Sequence, residues 1–296
     1  MPWRTEPIGR TTVDAGILRG WPLPEPGGSK RTRGDVLVVG GAARSPGAAQ
    51  LAGLAALRVG AGRLTLAVGE SVASAVAVAV PECGVAPLAE TTGGHIRGRS
   101  LRDAASDLAG ADAVLVGPGL DDIGETRRML RALPPLTSPE ATVVLDAFAL
   151  GAVAGRPRLA RVPRRILTPN LEEAELLLGR PLRDEDADRD RDVTAIAHRY
   201  DAVVSCFGCI ADPTGRVFHV RAGGPGLGTS GSGDALAGAI AGLAARGCEP
   251  LQAAVWGTYL HSAAGETLAR DVAPLGFLAR EIVARLPLEL AAVQRG

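Results

Sequence analysis

The chain has almost no lysine. Lys30 is its single lysine, and every other basic side chain is arginine. A P-loop kinase needs a lysine inside its phosphate loop, and a Schiff-base enzyme needs one in its pocket. Lys30 lies in a Gly/Pro-rich leader, so neither class fits. Aromatic residues make up only 3% of the 296 residues, so the core has to be aliphatic and rich in alanine. Net charge is lacking too, with 32 basic side chains against 32 acidic ones. That balance leaves no broad field to draw in nucleic acid or an anionic membrane. No uninterrupted apolar run reaches the ~18 residues of a membrane span, and no signal peptide is recognisable. Four cysteines, Cys83, Cys206, Cys209 and Cys248, are too few to staple a chain of this length, so a reducing cytoplasm is expected. Cys206-Phe-Gly-Cys209 has C-x-x-C spacing, but no second pair and no neighbouring His completes a zinc motif. It also follows an apolar strand instead of opening a helix. Buried, inert thiols are expected, with a redox or metal role as the alternative.

What the chain has in quantity is glycine and proline, 39 and 21 residues, set among short apolar runs. Residues 1–33 read as an extended leader and 34–296 as a single domain. DVLVV (35–39) is a strand closing on two glycines; AAQLAGLAALRVGAG is a small-residue helix; RLTLAV is the next strand. ADAVLVGPGL, ATVVLDAFAL, RRILTPN and DAVVSCFG repeat the strand-then-loop pattern, and CIADPTGRVFHVRAG reads as a hairpin turning at DPTG. Apolar helices follow over 234–246 and 250–269. Alternating strands and helices predict an α/β fold, a mostly parallel central sheet flanked by helices on both faces. The charge run DEDADRDRD (184–192) reads as a solvated helix start or loop.

Ligands in such sheets bind beyond the C-terminal ends of the strands. Five such ends carry polar or Gly-rich loops: Gly40–Gly47, Gly117–Gly119, Asp146, Thr168–Glu173 and Gly228–Asp234. The first lacks G-x-G-x-x-G in register, which argues against a dinucleotide-binding Rossmann unit. Gly228-Thr229-Ser230-Gly231-Ser232-Gly233 can turn several N–H groups into one concavity at a helix start, an anion cradle. Asp234 beside it can take a proton from a substrate hydroxyl; the plain alternative is an Asp helix cap. Asn170 and Glu173 can hold a magnesium-bound water network around phosphates, or can simply form a capping box. His261, between apolar residues of a helix, reads as a packed, hydrogen-bonded core or interface side chain, with a direct catalytic role as the alternative.

These motifs together, with VLVVGGAARSPGAAQ, VLVGPGL, VVLDAFAL, LTPNLEEAELLLG, GLGTSGSGDALAG and YLHSAAGE, resemble the ADP-dependent NAD(P)H-hydrate dehydratases of the ribokinase-like superfamily, from about Trp21 to Leu286. The resemblance implies a ribokinase-like three-layer sandwich and a hydro-lyase that repairs nicotinamide nucleotides. ADP, or ATP in some relatives, phosphorylates the hydroxyl of hydrated NADH or NADPH; loss of phosphate then restores the dihydropyridine and leaves AMP. It implies Asp234 as the base and Gly208, Gly228, Thr229, Ser230, Gly231, Ser232 and Gly233 at the nucleotide. It puts Ala48, Gly119, Asp146 and Asn170 at the hydrated dinucleotide, and Glu173 at Mg2+ through water. Without a fused epimerase domain, action on one epimer, the S form, is expected. A homo-oligomer is expected, with a tetramer as the candidate assembly. The chain departs from many relatives in having Asn170-Leu-Glu-Glu173 for His-Pro-Gly-Glu, and Phe207-Gly208 for Lys-Gly. The competing readings are an ATP-dependent kinase of a small alcohol, such as a sugar or vitamin precursor, and a nucleotide-binding regulator without catalysis.

Overall fold

A computed structural model describes residues 8–25, 27–183, 186–221 and 223–295. Its centre is a ten-stranded sheet. In chain order the strands are β1 (Ile8–Val13), β2 (Asp35–Val39), β3 (Arg63–Gly69), β4 (Gly84–Leu88), β5 (Ala113–Val116), β6 (Thr142–Leu145), β7 (Arg164–Leu167), β8 (Val203–Cys206), β9 (Cys209–Ala211) and β10 (Arg216–Val220). Across the sheet the order is β1-β10-β9-β8-β7-β6-β5-β2-β3-β4. Only the β8–β9 and β9–β10 pairs are antiparallel. The helices are α1 (Ala15–Arg19), α2 (Pro46–Arg58), α3 (Glu70–Ala79), α4 (Ala105–Gly110), α5 (Ile123–Ala132), α6 (Phe148–Val153), α7 (Leu171–Leu178), α8 (Asp186–Tyr200), α9 (Ser232–Ala245), α10 (Pro250–Asp271) and α11 (Ala279–Arg295).

Central strands buried on both sides need apolar residues at every position, because successive side chains point to opposite faces. β2 shows this: Val36 and Val38 enter one core while Leu37 and Val39 enter the other. The first core is shared with α2, α9, α10 and α11, the second with α5, α6, α7 and α8. This is the expected three-layer sandwich.

The alanine and glycine content of α2 and α9 has a packing cause. A Cβ at Gly238 would lie 2.0 Å from the Ala52 carbonyl oxygen, and one at Gly242 would lie 2.5 Å from that of Ala56. The two helices meet backbone to backbone, so larger residues on this seam would force them apart.

Two expectations need correction. The segment read as a leader is, from residue 8, part of the packed structure. β1 adds to the sheet edge beside β10, Trp21 packs on Phe218, and the Trp256 indole N–H donates to the Trp21 carbonyl (3.0 Å). Its sequence, IGRTTV, carries the polar pattern of an edge strand, which hid it. The charge run does start a helix, α8, as expected, but it is not solvated throughout. Residues 184 and 185 lie outside the described residues, but Asp192 is buried between Arg180 and Arg183, and Asp190 between Arg10 and His219.

Candidate active site

The C-terminal ends of β2, β5, β6 and β7 and the starts of α2, α7 and α9 build one site. The Gly40–Gly47 loop is fastened to the Gly117–Gly119 turn: Gly41 N–H donates to Pro118 O (2.8 Å) and Ala42 N–H to Gly119 O (2.9 Å). Gly119 thus lies against the loop that leads into α2, whose first turn carries Ala48. α2 has no side-chain cap at Ser45, and α9 has none at Gly231. The two starts adjoin, since Leu51 of α2 closes on Gly231.

Gly231 shows why this loop is glycine-rich. Its φ is +86°, and a Cβ there would meet the Leu51 side chain at 2.6 Å. No other residue fits both the left-handed turn and the close approach. The first backbone bond of the α9 ladder runs from Ala235 N–H to Gly231 O (3.1 Å). The N–H groups of Gly233 and Asp234 therefore precede the ladder and, with the helix dipole, favour an anion. Asp234 is not a cap; it is the third residue of the helix. Burial pushes its carboxyl up to about 6, so it ionises where a proton-accepting base is useful.

Asp146 follows β6 and is buried. Burial raises its carboxyl well above the usual range; the Thr168 hydroxyl, donating at 2.7 Å, opposes this, and the charges of Asp234 and Glu173 reinforce it. Three predicted residues, Asp146, Glu173 and Asp234, thus share one electrostatic environment. Burial is the first cause of the upward shift in all three, and the charge of Asp234 adds to it at both Asp146 and Glu173. The next residue, Ala147, has φ +48° and ψ −120°, a conformation costly for a side-chain-bearing residue. No sequence signal marks it, because only glycine or asparagine advertises positive φ.

The capping-box reading of Asn170 and Glu173 holds: Glu173 N–H donates to Asn170 Oδ1 (2.8 Å), and Asn170 N–H to Glu173 Oε2 (2.9 Å). α7 is therefore closed by its own side chains, unlike α2 and α9. Among the described residues, no hydrogen bond engages the Asn170 amide NH2 or Glu173 Oε1. Burial raises the Glu173 carboxyl. Gly208 is held to the end of β10, its carbonyl accepting from Val220 N–H (2.8 Å). With Phe207 it forms the two-residue β8–β9 turn, and none of the hydrogen bonds among the described residues joins it to the 228–233 loop. His95, which no motif marked, pairs with Asp121 (2.8 Å) just past Gly119.

Residues 36–288 match the family model described as NAD(P)H-hydrate dehydratase. This chain belongs to that family. It is 44% identical to the ADP-dependent (S)-NAD(P)H-hydrate dehydratase of Xanthomonas campestris pv. campestris, covering 96% of this chain and 98% of that one. It is 36% identical to a bifunctional NAD(P)H-hydrate repair enzyme of Moorella thermoacetica, over 91% of this chain but 51% of that longer one. Among solved structures, the Bacillus subtilis ADP/ATP-dependent NAD(P)H-hydrate dehydratase co-crystallised with ATP/Mg2+ superposes with TM-score 0.76 at 28% identity, covering 92% of this chain and 94% of that one. Phosphofructokinase-2 of Escherichia coli, at TM-score 0.59 and 13% identity, shares the fold alone. The NAD(P)H-hydrate dehydratase matches therefore favour a repair enzyme over the kinase reading.

Proposed function

We propose that this chain catalyses the ADP-dependent dehydration of the S epimer of hydrated NADH and NADPH. The observation that carries the reading is the pair of uncapped helix starts, α2 and α9, meeting beside the titratable Asp234. One start suits the phosphates of the dinucleotide and the other those of ADP. Asp234 takes the proton of the ring hydroxyl as its oxygen attacks the terminal phosphorus of ADP, and AMP leaves. The C–O bond then breaks with loss of phosphate, and the neighbouring ring carbon gives up a proton to restore the double bond.

In this reading Ala48, Gly119, Asp146 and Asn170 line the dinucleotide side, and Gly208 and Gly228–Gly233 the nucleotide side. Mg2+ would arrive with the phosphates and lower their charge during transfer. The Oε1 of Glu173 fits an outer position, reaching the ion through water. The protein is proposed to be cytoplasmic and homo-oligomeric, with a tetramer as the candidate; among the described residues no helix is long and apolar enough to cross a membrane.

The test is to mix hydrated NADH with the protein, Mg2+ and either ADP or ATP, and to follow the reduced-nicotinamide absorbance. Recovery with at least one donor is expected. No recovery with either would sink the proposal. A stable phosphorylated product without recovery would mark a kinase instead.

A further inference from the structure

The C-x-x-C hairpin holds a second cluster. His219 is ten residues from Cys209 in sequence, yet it is the direct cross-strand partner of Cys209 in the β9–β10 pair. Asp190 reaches the same place from α8. The Cys209 sulfur, a carboxylate oxygen of Asp190 and a ring nitrogen of His219 all lie within 4.8 Å of one another. Cys209 and Asp190 are buried, and the His219 side chain is only 13% exposed. We infer that these three side chains form a binding site for a divalent cation of the zinc class, separate from the nucleotide cradle.

The donor chemistry selects the ion. Thiolate sulfur, imidazole nitrogen and carboxylate oxygen are the set zinc takes, and three protein ligands leave the fourth tetrahedral position to water. Magnesium, which takes oxygen donors, does not suit a thiolate. The sequence hid this site because its histidine is neighbouring only through strand pairing.

Arg10 is the competitor. Its Nε lies 3.5 Å from Asp190 Oδ2, and its Nη2 lies 3.4 Å from His219 Nδ1. With Arg10 donating to Nδ1, the ring proton sits on Nε2 and is donated to Asp190 Oδ1 at 2.5 Å. Zinc bound at Nε2 moves that proton to Nδ1, which then faces an arginine donor. Arg10 has to turn outward, and its side chain, 37% exposed, has room to do so. The Cys209 thiol loses its proton to solvent, so one proton is released per zinc bound. The bound ion would pin the β9–β10 hairpin to α8.

The test uses metal-stripped full-length protein titrated with Zn2+ alone, and with Co2+ as a spectroscopic substitute. One zinc per chain is expected to survive gel filtration, and the Co2+ form is expected to show a thiolate-to-metal charge-transfer band. Cys209→Ser and His219→Asn should each lower zinc affinity at least a hundredfold, and Arg10→Ala should raise it about tenfold. Absence of retained zinc, a Co2+ spectrum without the thiolate band, or equal zinc retention by Cys209→Ser would each overturn the inference. The wild-type Co2+ spectrum decides the matter even if a variant fails to fold.

Discussion

His261 Nε2 lies 2.9 Å from the Ser232 hydroxyl and 3.0 Å from the Ser232 carbonyl oxygen. Burial holds this imidazole down to about 4, so it is neutral near pH 7. A neutral ring with its proton on Nε2 donates to the carbonyl and fixes the first residue of α9. It does so without adding a charge beside the uncapped start of α9. His261→Leu removes the anchor but keeps the apolar packing. ADP affinity should fall roughly tenfold, about 1.4 kcal/mol, with a smaller change in kcat. Titration calorimetry with ADP checks the first, and steady-state repair kinetics the second.

The α2–α9 seam makes a stability prediction independent of the site. Gly238→Ala puts a methyl group 2.0 Å from the Ala52 carbonyl oxygen, so the helices have to separate. The cost should be about 3 kcal/mol, the upper part of the overpacking range. Gly110→Ala, where an added Cβ meets nothing within 4 Å, should stay within ~0.5 kcal/mol of wild type. Urea midpoints of the two variants measure the difference.

Much of this architecture is legible in the sequence, for a physical reason. Runs such as VLVV and VVL followed by glycine or aspartate mark buried strands and the ends where ligands gather. Asp146, Asn170, Glu173 and Asp234 could therefore be named before any coordinates. What stayed hidden depends on contacts between distant segments. β1 is polar because it is an edge strand, and it becomes a strand only by pairing with β10. The strained Ala147 carries no residue-type signature. His219 meets Cys209 only because a hairpin turns between them. The capping box at Asn170 was visible, but whether α9 is capped by Asp234 depended on where the helix begins, two residues earlier than its carboxylate.

Asp192 ties α8 to the segment before it. Burial alone would raise its carboxyl, but hydrogen bonds from Arg180 (2.6 Å) and Arg183 (2.5 Å) outweigh this and hold it well below the usual carboxylate range. A folded-state value below the unfolded one gives stability that is present above about pH 4 and is lost as pH falls through the folded value. Wild-type protein should therefore lose stability on acidification below about pH 4 more steeply than Asp192→Asn. At neutral pH the variant should be the less stable of the two, because two arginines lose their shared carboxylate. Urea midpoints across pH 2.5 to 7 decide it; parallel curves would remove Asp192 as the cause.

Asp234 gives opposite signs for activity and stability in one variant. Its carboxyl is raised to about 6 by burial, so kcat/KM for repair should rise with pH along an acid limb of apparent pKa near 6 and unit slope. Asp234→Asn should lower kcat by at least a hundredfold while changing ADP affinity less than tenfold. The linkage runs the other way. Because the folded value exceeds the unfolded one, the protonated carboxyl supports the fold fully below about pH 4, and that support is lost as pH rises through 6. At pH 8 wild type carries a half-buried charge that the amide avoids, so Asp234→Asn should be the more stable by about 2 kcal/mol, with the gap closing near pH 4. A base placed for chemistry is expected to cost stability in the empty site. A variant that is inactive and also less stable at pH 8 would mean that Asp234 serves the fold before it serves the reaction.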